Sequence, residues 1–255
     1  MGWQDRFSLA GRKALVTGAS KGIGAEIAAV FAEAGADIVA LGRDEADLHA
    51  TAKAVRAQGQ RCLTLVAEMQ SPTDPVTACE RALSEWGTID ILVNSAGMAN
   101  VAPAVDFSTE AWDQMMAVNL RAPFLTARTL APAMIAQRWG KVVNISSQTG
   151  VIALDDHAAY AASKGGLNAL TKSLCAEWAR HNVQVNAICP TVVMTPMGKK
   201  VWGKPEKGDP FRNATPARRF AEPVEIADAA LYLASDASSM VNGALLMVEG
   251  GFTSV

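Results

Sequence analysis

Two stretches carry residue types and spacings able to do chemistry: Tyr160-Ala161-Ala162-Ser163-Lys164 and, far upstream, Thr17-Gly18-Ala19-Ser20-Lys21-Gly22-Ile23-Gly24. A phenol and an ammonium four positions apart share one face of a helix. That pair suits proton transfer, because an ammonium within about 4–6 Å lowers a tyrosine pKa of about 10 by ~1–3 units. The glycine-rich turn follows a β-branched strand and opens an Ala-rich helix. Free N–H groups and the helix dipole make such a turn a place for a pyrophosphate. Together the two patterns point to hydride transfer on a nicotinamide cofactor. Singly, the first is equally a helix face with a snorkelling lysine, and the second an ordinary strand-to-helix turn.

The strand after the glycine turn ends Leu41-Gly42-Arg43-Asp44. A carboxylate that holds a ribose 2′-hydroxyl is expected about there. Gly42 occupies its place, Arg43 follows, and Lys21 lies in the turn. Two cations and a missing acid fit a 2′-phosphate, hence NADP(H) ahead of NAD(H). Asp44 reads as the cap of the next helix. The alternative for Arg43 is a solvated surface charge.

The elements that must position these groups are short apolar strands alternating with Ala-rich helices. Ala14–Thr17, Ile38–Leu41, Leu63–Val66, Ile89–Val93, Lys141–Ile145, Val183–Ile188 and Ala244–Val248 read as buried strands. Near-continuous apolar runs suit a parallel sheet covered on both faces, and right-handed crossovers wind it doubly. The expectation is an α/β Rossmann fold in a single domain over residues 1–255, with a substrate flap in the irregular, Pro-rich stretch 190–223.

Half of the 255 residues are hydrophobic and 19% are charged, which excludes a disordered chain. A net charge of −2 leaves no electrostatic footprint for nucleic acid. No apolar run is long enough for a bilayer, and Met1-Gly2-Trp3-Gln4-Asp5-Arg6 lacks the profile of a signal peptide. Cys62, Cys79, Cys175 and Cys189 are scattered, with no metal-site spacing, and read as reduced core residues of a cytoplasmic protein.

Further groups fall at strand ends. Ser147, in Ser146-Ser147-Gln148, precedes Tyr160 by 13 residues, and a hydroxyl there can orient a carbonyl. Asn94-Ser95-Ala96-Gly97 ends another strand, where ligands bind in open parallel sheets. Asn119 is a polar residue in a helix that otherwise reads as buried. Each alone is also explained as a polar group satisfied by nearby backbone.

The glycine turn, Asn-x-Ala-Gly, the helical Asn, the Ser and Tyr-x-x-x-Lys, in this order from about Leu9 to Phe252, resemble the short-chain dehydrogenase/reductase family. The resemblance implies Tyr160 as general acid/base, Lys164 as its pKa modifier and Ser147 as the substrate-orienting hydroxyl. It gives Asn119 a water in the proton relay. The cofactor would lie against Gly18, Ser20, Lys21, Gly22, Ile23, Gly24 and Arg43. It would also meet Asn94, Ala96 and Gly97, Tyr160 and Lys164, and Pro190, Val193 and Thr195. Glu68-Met69 stands where an Asp and an apolar residue commonly meet adenine, and Cys189-Pro190-Thr191 replaces Asn-Pro-Gly. A homotetramer and metal-free catalysis are also implied.

The flap from Pro190 through Thr195, Met197-Gly198 and Trp202, together with Gln148 and His157, resembles dicarbonyl/L-xylulose reductases within that family. This implies a ketose, dicarbonyl or polyol substrate, with Ser147, Gln148, His157, Tyr160 and Trp202 around it. Gln148 is equally a solvent-exposed loop residue, His157 a helix-start residue, and Trp202 a packing anchor of the flap or a subunit contact. Asp155-Asp156 adds acidity at the mouth and argues against a strongly anionic substrate. Two other readings stay open: a 3-oxoacyl-thioester reductase sharing the same catalytic set, and a nucleotide-binding regulator without catalysis.

Overall fold

Seven parallel strands form one sheet in the order β3-β2-β1-β4-β5-β6-β7. The computed structural model describes residues 2–255. In chain order come α1 (Trp3–Phe7), β1 (Lys13–Thr17), α2 (Gly22–Glu33), β2 (Asp37–Gly42), α3 (Glu45–Ala57) and β3 (Cys62–Val66). Next are α4 (Asp74–Trp86), β4 (Ile91–Asn94), α5 (Thr109–Met116), a π-helical turn (Ala117–Arg121), α6 (Ala122–Gln137) and β5 (Gly140–Ile145). The chain continues through α7 (Ala158–Trp178), β6 (Val183–Pro190), α8 (Pro196–Trp202), α9 (Pro205–Ala214), α10 (Pro223–Ala234) and β7 (Leu245–Val248). This is the doubly wound α/β Rossmann architecture, with the order reversing between β1 and β4.

Alternation along the strands divides the core in two. Ala14, Val16, Ile38, Ala40, Ile91 and Val93 face Ile27, Phe31, Leu48 and Ile226 from α2, α3 and α10. Leu15, Val39, Leu41 and Leu92 face Ala82, Leu130, Met134 and Leu174 from α4, α6 and α7. Both sheet faces are therefore dry, which is why the strands read as unbroken apolar runs. Each fully buried side chain of Phe or Leu size contributes about 1.5–3 kcal/mol.

Caps set where helices start. Asp44 accepts from the Asp47 N–H at 3.0 Å and opens α3, as its position suggested. Thr195 accepts from the Gly198 N–H at 3.1 Å and opens α8. The stretch 190–223 is not irregular as expected: it holds α8 and α9. Pro196, Pro205 and Pro223 sit in the first turns of α8, α9 and α10, where proline's missing N–H costs nothing. No helix among the described residues is long and apolar enough to cross a membrane.

Candidate active site

The glycine turn joins β1 to α2 at the C-terminal edge of the sheet. Gly18 has φ +68°, and a Cβ on it would stand 2.8 Å from the Ala96 backbone, so the turn and the Asn94–Gly97 loop touch main chain to main chain. Thr17 locks that contact: its Oγ1 accepts from the N–H groups of Ser95 and Ala96, each at 3.1 Å. Thr51 donates to the Ala19 carbonyl at 2.7 Å and ties α3 to the same turn. Ile23 and Gly24 lie in the first turn of α2, so the helix N-terminus faces the strand ends.

Beside the turn, Ser20 packs against Gly42, where a Cβ would fall 3.2 Å from the Ser20 Oγ. Arg43 extends past the end of β2 and pairs with Glu68 at 3.4 Å, while Lys21 pairs with Asp47 at 3.7 Å. Met69 is buried.

Asn94 is buried in a polar ladder rather than pointed at open space. Its Nδ2 donates to Asn144 at 2.9 Å, its Oδ1 accepts from Thr126 at 2.8 Å, and Asn144 donates to Thr171 at 2.9 Å. The ladder pins β4 and β5 to α6 and α7. Asn119 sits in the π turn with its amide fully engaged. It accepts from the Met98 N–H and donates to the Met98 carbonyl, both at 2.9 Å, and to Ser163 at 3.0 Å. Gly97 lies between Asn119 and Lys164, since a Cβ there would be 3.5 Å from one and 3.6 Å from the other.

Ser147, Tyr160 and Lys164 converge where β5 ends and α7 begins. The Lys164 ammonium is buried and donates to the Ile145 carbonyl at 2.8 Å, 5.8 Å from the centre of the Tyr160 ring. Burial holds that ammonium down to about 8. Burial also pushes the Tyr160 phenol above its ordinary value of 10, against the pull of a hydrogen bond from Ser147. The lowering expected from Lys164 does not appear: removing a phenolate from water raises the phenol by more than Ser147 lowers it.

Of the expected substrate residues, His157 lies just before α7, its ring centre 6.3 Å from that of Tyr160. Gln148 is not the loop residue of the alternative reading: it is 2% exposed, and its Oε1 has no hydrogen-bond partner among the described residues. Trp202 packs in a ring cluster, 5.0 Å from Phe211 and 6.5 Å from Phe220, and Phe211 stacks on Phe252 at 4.7 Å. Pro190 closes β6, Val193 is buried and bridges to Ala221, and Thr195 sits against Gly22.

Sequence reasoning missed Thr17, Asn144, Ser163 and Asn168. Asn168 accepts from Ser146 at 2.7 Å and donates to the Gly150 carbonyl at 3.1 Å, holding the turn that carries Ser147 and Gln148. Its spacing of four from Lys164 on one helix face was the available signal.

A family model described as Enoyl-(Acyl carrier protein) reductase matches residues 18–253. D-threitol dehydrogenase of Mycolicibacterium smegmatis is 45% identical, with 97% of this chain and 95% of that protein aligned. L-xylulose reductase of Bos taurus is 41% identical over 96% of this chain and 97% of its own length. The crystal structure of a gluconate 5-dehydrogenase from Burkholderia cenocepacia in complex with NADP and tartrate superposes with a TM-score of 0.94 at 38% identity, covering both chains in full. With the Tyr–Lys pair, the serine and the glycine turn gathered on one sheet edge, the chain belongs to the short-chain dehydrogenase/reductase family, oxidoreductases acting on CH–OH groups.

Proposed function

We propose that this chain, folded as one domain, is an NADP(H)-dependent oxidoreductase that interconverts a short ketose or dicarbonyl with its polyol or hydroxy counterpart. The observation that carries the reading is the convergence of Ser147, Tyr160 and Lys164 where β5 meets α7, with the buried Lys164 ammonium 5.8 Å from the centre of the Tyr160 ring. The turn fits a dinucleotide: Gly18 and Gly22, both at positive φ, bend the chain tightly against Ala96 and Thr195, and the start of α2 offers its free N–H groups. Gly18 through Gly24 would hold the pyrophosphate, Arg43 and Lys21 the 2′-phosphate, and Lys164 and Thr195 the nicotinamide half. The bound dinucleotide supplies or accepts the hydride.

In reduction, Tyr160 gives its proton to the carbonyl oxygen while Ser147 orients that oxygen and stabilises its developing charge. In oxidation the same phenol takes the alcohol proton. Lys164 keeps a positive charge near the phenol, which favours its ionised form. Asn119 acts by holding the Met98 backbone and Ser163, so a relay water would be left to the main chain of the π turn. Gln148, with its unpartnered oxygen, and His157 suit the hydroxyl groups of a polyol.

We further propose assembly as a homotetramer. Trp112 and Phe124 are about 40% exposed on α5 and α6, beside a groove of about 530 Å³ lined by Met116, Leu120, Phe124 and Leu170.

The test is a cofactor-by-substrate screen of the purified protein, following the absorbance of the reduced nicotinamide. It pairs NADPH and NADH with L-xylulose, other ketoses, diacetyl and acetoacetyl thioester, and NADP⁺ and NAD⁺ with polyols. Turnover of ketose or diacetyl with NADPH is expected. Activity confined to the thioester would replace this reading by the 3-oxoacyl-thioester one, and binding without turnover of any pair would favour a regulator.

A further inference from the structure

Both cations that would meet a 2′-phosphate are already engaged by carboxylates. Lys21 pairs with Asp47, and Arg43 pairs with Glu68. Asp44 is spent on capping α3, and Asp74 accepts from the Glu68 N–H at 3.2 Å. Carboxylates therefore outnumber the two cations at this corner.

The origin of the second pair lies in the sheet. A residue with a side chain at position 42 would press its Cβ to 3.2 Å from the Ser20 Oγ and 3.3 Å from the Ser20 Cβ, in the middle of the glycine turn. A side chain at the strand end, including the acid that ordinarily reads a ribose hydroxyl there, would have to push Ser20 aside by a few tenths of an ångström. The neighbouring strand delivers one instead. β2 and β3 run in register with Gly42 opposite Val66, and the Ala67 N–H donates to the Gly42 carbonyl at 2.9 Å. Two residues beyond that register partner is Glu68.

The two members of the pair are not equally free. The Glu68 Oε1 accepts from the Gln70 N–H at 3.1 Å, so the carboxylate is fixed by its own backbone. The Arg43 side chain is 74% exposed against 43% for Glu68, and only its Nη1 reaches the Glu68 Oε2, at 3.4 Å. The guanidinium is the mobile partner and the carboxylate the anchor.

We infer that Glu68 is a specificity-determining residue: by holding Arg43 and placing a negative charge beside it, Glu68 opposes a 2′-phosphate and leaves NAD(H) unpenalised. The inference rests on the proposed NADP(H) reading and qualifies it, because Arg43 must leave Glu68 before it can hold the phosphate. The consequence is a chain that takes both nicotinamides with a modest preference. Glu68→Gln keeps the oxygen that accepts from Gln70 and removes only the charge, which makes it a clean probe.

The experiment is calorimetric titration of the purified protein and of its Glu68→Gln, Arg43→Gln and doubly substituted variants with NADP⁺ and with NAD⁺. Glu68→Gln is expected to raise the ratio of NADP⁺ to NAD⁺ affinity by about two- to fivefold, the size of one like-charge contact near a surface, whereas loss of an adenine contact would move both cofactors together. In the Arg43→Gln background most of that gain disappears. If Arg43→Gln weakens NADP⁺ while Glu68→Gln shifts neither cofactor, or both equally, the Glu68 inference falls and the Arg43 reading stands. If Arg43→Gln leaves NADP⁺ unchanged, both fall.

Discussion

Thr195 closes over Gly22: its Cγ2 lies 3.2 Å from where a Cβ on Gly22 would stand, and its Cβ 3.4 Å. The residue that caps the first flap helix thereby rests on the residue that starts α2, so the flap and the glycine turn are one contact. Gly22 also has φ +63°, a conformation that costs a side chain roughly 1–2 kcal/mol. Gly22→Ala combines that strain with a collision on the flap. The expected result is a tenfold or greater loss of cofactor affinity by titration. Thr195→Ser in the same chain should recover part of the loss, because it removes the methyl and keeps the cap.

Tyr160→Phe is expected to lower turnover by about 10²–10⁴-fold while leaving cofactor affinity within about threefold, which calorimetry and steady-state kinetics separate.

Ser147→Ala tests the electrostatics of the same phenol. The Ser147 hydrogen bond lowers the Tyr160 pKa, so its loss leaves burial unopposed and moves the pKa further up. With Tyr160 as the proposed base, alcohol oxidation needs the phenolate. Its pH–rate curve should therefore shift to higher pH in Ser147→Ala, with kcat lower throughout. A curve left in place would show that another group is the base.

Trp202 is half-buried among Phe211, Phe220 and Phe252, with the Lys207 ammonium 5.1 Å over its ring. Trp202→Ala should loosen α8 and α9, read as faster amide exchange over 196–214, and raise KM for a ketose by about fivefold. Trp202→Phe keeps an aromatic partner for Phe211 and should lie between.

Lys141 is buried in β5 with Ser238 at 3.3 Å, and burial holds it down to about 8 from 10.5. Below pH 8 it is charged in both the folded and unfolded states, and the full desolvation cost opposes folding. Between about 8 and 10.5 the unfolded chain binds more protons, so this residue's contribution to stability rises with pH. Lys141→Met should therefore be more stable than the parent at pH 7 by roughly 1–3 kcal/mol, with the gap narrowing by pH 10. Denaturant titrations at the two pH values measure it, and the buried cysteines cancel in the comparison.

The sheet was legible because strands buried on both faces leave runs such as Ile91–Val93 that nothing else explains. The Tyr160–Lys164 pair and the glycine turn were legible because helical spacing and a strand-to-helix switch are local. The flap's helices were missed because Pro196, Pro205 and Pro223 break structure only behind themselves; each in fact starts a helix. The Arg43–Glu68 pair and the Asn94–Asn144–Thr171 ladder join residues from different strands and helices. Only the register of the sheet brings them together, and no spacing along the chain announces it. The up-shifted phenol was missed for the same reason, since burial is a property of the packed site.

The helix that carries the glycine turn has its packing partner near the other end of the chain. Ile27, Ala28 and Phe31 of α2 share one apolar cluster with Ile226, Ala227 and Ala230 of α10. During synthesis β1 and α2 emerge first, and they wait with an apolar face uncovered until Pro223–Ala234 leaves the ribosome. A nascent chain halted before α10 should therefore expose this apolar face of α2, and ribosome-arrested chains of increasing length are expected to gain cofactor binding only once Pro223–Ala234 has emerged.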